Sequence, residues 1–310
     1  MIQEIIKKDK KKRNSIAWYD VTDPNHQDIE FLKKRFNFHP IILNELTQPS
    51  ARSKVETYDH YLFMVYHLPI YDPIDQGSRR AEIDFLATKD TLITVHYEKI
   101  EPLYRFEKTL KNNIHLQDRI LQSGSGHLIY YILEETIEFS IRQLKHIEEK
   151  VNDIGKELFG GKERNLLEKV SYVKRDLLDF NIITKPQRNI LESLIAAGAF
   201  FWGESLKIYF SDLLGDFLKI GHLVEMLKET VESFETTNAQ LLNARSNYIM
   251  QRFTVLAFLT FPLMLLVAIF DIDAVSRPIV GKPYDFWIIF GIVASLVTLM
   301  TIIFRKKGWL

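Results

Sequence analysis

From Phe253 to Phe270 the chain runs eighteen residues without a charged side chain, and from Phe286 to Phe304 a further nineteen. A membrane-crossing helix needs about 20 mostly apolar residues, so each stretch qualifies. Pro262 inside the first is tolerated in a bilayer and predicts a bend. Arg245 and Arg252 precede the first stretch, and Arg305, Lys306 and Lys307 follow the second. Basic flanks of this kind predict that both ends lie in the cytoplasm and that the loop 271–285 lies outside. Tyr284, Trp287 and Trp309 fall where interfacial aromatics belong. The rival reading is a helical hairpin buried in a soluble core.

Upstream the pattern changes. Ile16 to Val21 (IAWYDV) alternates and predicts a strand. Thr22-Asp23-Pro24 predicts a turn, with Thr22 or Asp23 capping a helix from Asn25 to Phe36. His39-Pro40 starts another helix, which stops near Pro49. Strands are predicted at Lys54–Thr57, Tyr61–Leu68, Glu82–Ala87 and the β-branched, aromatic Thr91–Tyr97, with Asp72-Pro73 and Gly77 in a loop. Mixed strands and helices up to about residue 120 predict a small α/β domain.

From His127 to Phe159 apolar residues recur at helical spacing, and Gly160-Gly161 ends the run. A second helix, Lys162 to Thr184, stops before Pro186 and makes an antiparallel hairpin with the first. Glu134, Glu135, Glu138, Glu148 and Glu149 would lie on its exposed faces, as solvated surface or as an acidic surface that concentrates cations. Gly124-Ser125-Gly126 reads as a flexible connection. A helical pattern resumes by Glu204; unbroken to Phe270 it would be about 100 Å long, a stalk that becomes a membrane span. The expected organisation is an α/β domain over 1–126, the hairpin over 127–185, a stalk helix over 186–252, spans over 253–270 and 286–304 around the loop 271–285, and a basic tail over 305–310.

Composition narrows the chemistry. There is no cysteine, which excludes disulfides, thiolate metal sites and thiol catalysis. Forty Lys and Arg balance forty Asp and Glu, so net charge gives no argument for a nucleic-acid partner. The start, MIQEIIKKDKKKRN, has a basic run without an apolar core and is not read as a secretory signal; its basic run reads as a solvated tail, with anionic lipid as the other reading. No Gly-rich phosphate loop, nucleophile elbow or H-x-x-x-H pair is present, so no enzyme and no structural zinc site is expected.

WYDVTDP at Trp18–Pro24, FNFHPIILNEL at Phe36–Leu46, KVETYDHYLFMVYHLP at Lys54–Pro69, DFLATKDTLITVHY, Pro186-Gln187-Arg188, NYIMQRFTVLAFLTFPLMLLVAIF and the terminal RKKGWL follow in an order that resembles the CorA family of divalent-cation, chiefly magnesium, transporters. The resemblance covers nearly the whole chain. It implies a homopentameric funnel: an α+β or α/β cytoplasmic N-terminal domain, a long stalk helix and two C-terminal transmembrane helices, the first lining a central pore. The implied location is the plasma or inner membrane, multi-pass, in contact with lipid. The implied cargo is Mg²⁺ first, then Co²⁺, Ni²⁺ or Zn²⁺.

Asn247 and Met250 match the family's pore-lining positions at the cytoplasmic end of the first span, and Phe253, Ala257 and Phe261 continue that face. Independently, Asn247, Met250, Thr254, Ala257 and Phe261 form the stripe at helical spacing that a pore helix needs. At the outer mouth the family carries Gly-Met-Asn after an aromatic. Here Phe270 is followed by Asp271-Ile272-Asp273, and the acidic residue after Met-Pro in the loop is absent around Pro278. Two carboxylates at a helix C-terminus oppose the dipole and raise one another's pKa unless a cation neutralises them. They would pass a cation with altered selectivity, hold one too tightly for fast flux, or simply end the helix. YFSD at Tyr209–Asp212 resembles the region of the family's regulatory metal site, which makes Asp212 and Asp216 candidates. The expected function is passive divalent-cation transport; the alternative is a non-conducting membrane sensor or scaffold that has lost the filter.

Overall fold

A computed structural model describes residues 1–7, 15–160, 166–273, 275 and 279–308. Most of the basic run, Gly161, the first residues expected of the second hairpin helix, Pro278 and Trp309 lie outside them. The chain forms two compact units, Met1–Glu235 and Thr236–Leu310.

The first unit is built on a six-stranded sheet of β1 (Ile2–Ile6), β2 (Ala17–Thr22), β3 (Lys54–Thr57), β4 (Leu62–Asp72), β5 (Gly77–Ala87) and β6 (Thr91–His96). The order is β1-β2-β6-β5-β4-β3, antiparallel throughout except for β2 against β6. The strands β4 and β5 run on into a tight hairpin, so the expected loop shrinks to residues 73–76. β1 was not expected. It pairs Ile2 with Val21, buries Ile6, and is held by the Met1 ammonium group, which donates to the Thr22 carbonyl at 2.6 Å and meets Asp28 at 3.0 Å.

Both sheet faces are covered. On one, Tyr19, Val21, Phe63, Val65, Leu86 and Ile93 pack under α1 (His26–Phe36) and α2 (Pro40–Glu45). The cap of α1 is Asn25, not Thr22 or Asp23: Asp28 N–H donates to Asn25 Oδ1 at 3.0 Å and Asn25 N–H to Asp28 Oδ2 at 3.1 Å, a reciprocal capping box. On the other face Trp18, Met64, Tyr66, Ile83 and Phe85 join a larger core with residues of α3 (Glu101–Asn112), α5 (Ser125–Phe159), α6 (Leu166–Thr184) and α7 (Gln187–Trp202). The short α4 (Ile114–Ser123) connects α3 to α5.

Gly124-Ser125-Gly126 is not a flexible connection. Ser125 and Gly126 open α5 and are buried; Ser125 Oγ donates to the Thr88 carbonyl and accepts from Trp202 Nε1 at 3.0 Å. The span 186–252 holds two helices: α7, then α8 (Glu204–Asp271), with Gly203 between them at φ 107°, a conformation that suits glycine. α8 is continuous for 68 residues and contains Pro262.

In the second unit, the end of α8 and α9 (Asp285–Lys306) are both long and apolar enough to cross a membrane, with almost none of their residues buried. Asp285 receives N–H donors from Gly281 at 2.9 Å and Phe286 at 2.7 Å, and Arg305 and Lys306 close the helix, so α9 has acid at its start and base at its end, as its dipole favours.

Candidate cation pathway and acidic cluster

Asn247, Met250, Phe253, Thr254, Ala257 and Phe261 all lie on α8, in its Thr236–Asp271 part. At about 100° per residue they share an arc of roughly 120°. All are exposed apart from half-exposed Ala257, and Phe253 and Phe261 are 67% and 70% exposed. Val255 is the one buried residue among the described positions from 241 to 273, and it projects from the opposite side of the helix. The stripe is therefore unpartnered within the chain, and it mixes an amide, a hydroxyl, small residues and aromatic rings. The Thr254 hydroxyl donates to the Met250 carbonyl at 2.9 Å, which leaves its lone pairs free to accept. At the cytoplasm-predicted end, the Arg252 guanidinium stacks over Tyr248 at 4.6 Å from the ring centre.

Phe270 and Asp271 close the last turn of α8; Ile272 and Asp273 follow it. Asp271, Ile272 and Asp273 are exposed, and no basic residue stands in that last turn. Two carboxylates thus sit at the negative end of a helix dipole, which disfavours their charge.

Asp212 and Asp216 lie on the same long helix but in the first unit. The Tyr130 hydroxyl of α5 stands 3.0 Å from Glu134 Oε1 and 3.3 Å from Asp212 Oδ2, and Asp216 pairs with Lys219 at 2.6 Å. Burial, then the neighbouring charges of Glu138, Asp212 and Asp216, raise the Glu134 pKa, while its hydrogen bond from Tyr130 works the other way. Among the described residues, no group of three or more His, Cys, Asp or Glu side chains is arranged to hold a metal ion. Asp212 and Asp216 are thus brought beside an acidic patch, yet the ligand set of a single chain is incomplete. Glu134, read from sequence as a surface charge, is half-buried here; its spacing of four from Tyr130 is the signal that places both on one helix face.

An α/β unit whose last helix runs on into an uncharged span, followed by a second such span, has the build of a membrane protein. The family described as "CorA-like Mg2+ transporter protein" matches residues 13–306. The chain belongs to that family. It is 24% identical over 296 residues to the YfjQ protein of Bacillus subtilis, covering 95% of this chain and 90% of that one. It is 22% identical to the cobalt/magnesium transport protein CorA of Methanocaldococcus jannaschii, covering 95% and 92%. The fold matches the complete structure of the CorA magnesium transporter from M. jannaschii with a TM-score of 0.83 over 96% of this chain and 92% of that one, and full-length CmaX with 0.67 over 96% and 90%.

Proposed function

We propose that this protein is a passive channel for divalent cations, Mg²⁺ foremost, formed by five copies around a pore lined by the first span. The observation that carries this reading is the unpartnered stripe from Asn247 to Phe261 on a helix that ends at Asp271, with Ile272 and Asp273 directly after it. In a closed ring the stripe has somewhere to face. Asn247 and Thr254 would offer neutral oxygens to a hydrated ion, which suits Mg²⁺ because it gives up its waters reluctantly. Ten carboxylates at the outer mouth would gather cations from dilute solution, at the cost of slower release than a neutral ring. The magnesium and cobalt transport named for its CorA relatives supports the choice of cargo. In this arrangement the protein sits in the plasma or inner membrane with both termini in the cytoplasm. Asp212 and Asp216 would meet a neighbouring copy and share a regulatory cation with it.

The test is ion flux into liposomes carrying the purified protein, screened with Mg²⁺, Co²⁺, Ni²⁺, Zn²⁺ and Mn²⁺ under an inside-negative potential. The wild type should pass at least one ion. Asp271→Gly with Asp273→Asn should keep flux and weaken the apparent affinity of the mouth. Silence of the wild type at every potential, followed by flux in the double variant, would overturn the proposal in favour of a non-conducting relative.

A further inference from the structure

The sheet face under α1 and α2 hides a set of ionisable groups that the transport reading does not use. Glu82 and Asp84 are alternate residues of β5, so both point to that face, and they are 5% and 1% exposed. Glu82 is well supplied: both its oxygens accept from the Ser50 N–H, at 2.9 and 2.8 Å, and Oε2 accepts from His67 Nε2 at 2.9 Å. Asp84 Oδ2 accepts from the Tyr97 hydroxyl at 3.1 Å. Asp84 Oδ1 is buried with no donor among the described residues. A bare carboxylate oxygen there would carry the full cost of an unsatisfied buried acceptor. Its neighbour on the same face of β5 is the Glu82 carboxylate, whose charge acts on Asp84 and which, as an anion, can only accept. One proton on Asp84 resolves both facts, because Asp84 then donates to Glu82. Burial first, and the charge of Glu82 second, push the Asp84 pKa well above the usual carboxylate range, and burial likewise pushes up the Tyr97 phenol. The other ionisable groups turned to this cluster are His67 from β4 and Glu45 from α2, the latter paired with Lys54 of β3 at 2.7 Å.

The bonds continue in one direction. Since Glu82 takes the Nε2 proton of His67, Nδ1 is free to accept, and Ser53 Oγ donates to it at 2.9 Å. Gln187 Nε2 donates to Ser53 Oγ at 2.8 Å, and Gln187 Oε1 accepts from the His67 backbone N–H at 3.3 Å. Gln187 is the first residue of α7 and is 1% exposed. We propose that Asp84 and Glu82 form a proton-binding pair, holding one proton between two buried carboxylates, and that through His67, Ser53 and Gln187 this proton sets how firmly the start of α7 is held to the sheet. Losing it places two like charges in contact inside the sheet and turns Glu82 away from His67.

Infrared spectroscopy of the full chain in nanodiscs tests the proton directly. The wild type should show the carbonyl stretch of a protonated carboxylic acid at neutral pH, lost in Asp84→Asn and in alkali. Tyr97→Phe, which removes a donor that favours the anion, should carry the band to higher pH. Hydrogen exchange, corrected for its intrinsic pH dependence, should show the amides around residue 187 losing protection as the band disappears, but not in Asp84→Asn, whose amide imitates the protonated acid. Absence of the band in folded wild type, or its persistence in a folded Asp84→Asn, overturns the proton site. Protection at α7 that ignores the band overturns the coupling.

Discussion

Replacing Gly198 by alanine should destabilise the first unit, although alanine is the better helix former. Gly198 lies on α7 against Phe210 of α8, whose ring is fully buried. A Cβ at Gly198 would stand 2.5 Å from Cε2 and 2.8 Å from Cδ2 of that ring. Carbon atoms rest about 3.5–4.0 Å apart, so the ring must retreat by roughly 1 Å. Its path is limited by Trp202, whose ring centre is 6.2 Å away. Overpacking of this kind costs about 1–3 kcal/mol, and alanine returns about 0.8–1.0 kcal/mol of helix propensity, which leaves a net loss near 1 kcal/mol. Gly215 on α8 is the internal control, because a Cβ there meets no atom within 4 Å. Gly215→Ala should therefore stabilise by close to the full propensity gain. Thermal unfolding of the full chain in detergent, followed by tryptophan fluorescence, reads both. At about 2–4 °C per kcal/mol for a unit of this size, Gly198→Ala should fall and Gly215→Ala rise by a few degrees each. Phe210→Leu in the Gly198→Ala background should recover part of the loss, as coupled neighbours do. A melting temperature of Gly198→Ala equal to or above that of Gly215→Ala would refute the packing argument.

Two further outcomes follow from the first unit. Burial works against a charged His96, but its hydrogen bond and pairing with Asp20 at 3.0 Å outweigh it, so its pKa is raised. The folded state then binds this proton more tightly than the unfolded one; the stabilisation is complete below the unfolded value of about 6.5 and is lost as pH rises through the folded value. Denaturant titrations between pH 5 and pH 9 should show that loss in the wild type and not in His96→Gln. Asn25→Ala removes one half of the capping box and should cost about 1 kcal/mol, seen as faster amide exchange in the first turn of α1; unchanged exchange there would count against the cap.

The strands and helices that carry strong periodicity were legible in the sequence: the two uncharged spans, the long α5, and the run β3 to β6. What escaped did so for local reasons. β1 is five residues, IQEII, and gains its strand character from pairing with β2 rather than from its own pattern. Gly124-Ser125-Gly126 has the composition of a linker, and only the approach of Trp202 and Leu206 explains why glycine is needed: a Cβ on Gly126 would come within 2.3 Å of Leu206 Cδ2. Asn25 outcompetes Thr22 and Asp23 as a cap because β2 runs on through Thr22. The stripe from Asn247 to Phe261 was readable because helical spacing alone decides which residues share a face. The Glu82–Asp84 pair was not, since alternating acids in a strand look like a solvated face until a second layer is known to cover them.

The parallel pairing of β2 with β6 also sets a timetable. Ala17 pairs with Thr91 and Thr22 with His96, while the strands β3 to β6 pair with sequence neighbours. During synthesis β2 leaves the ribosome with its partner more than seventy residues behind. At about 5–20 residues per second that is a wait of roughly 4–15 s, long against the microseconds in which a hairpin closes. For that time the segment with Trp18, Tyr19 and Val21 has β1 as its strand partner and an open edge where β6 will later pair, an apolar strand edge that other chains could meet.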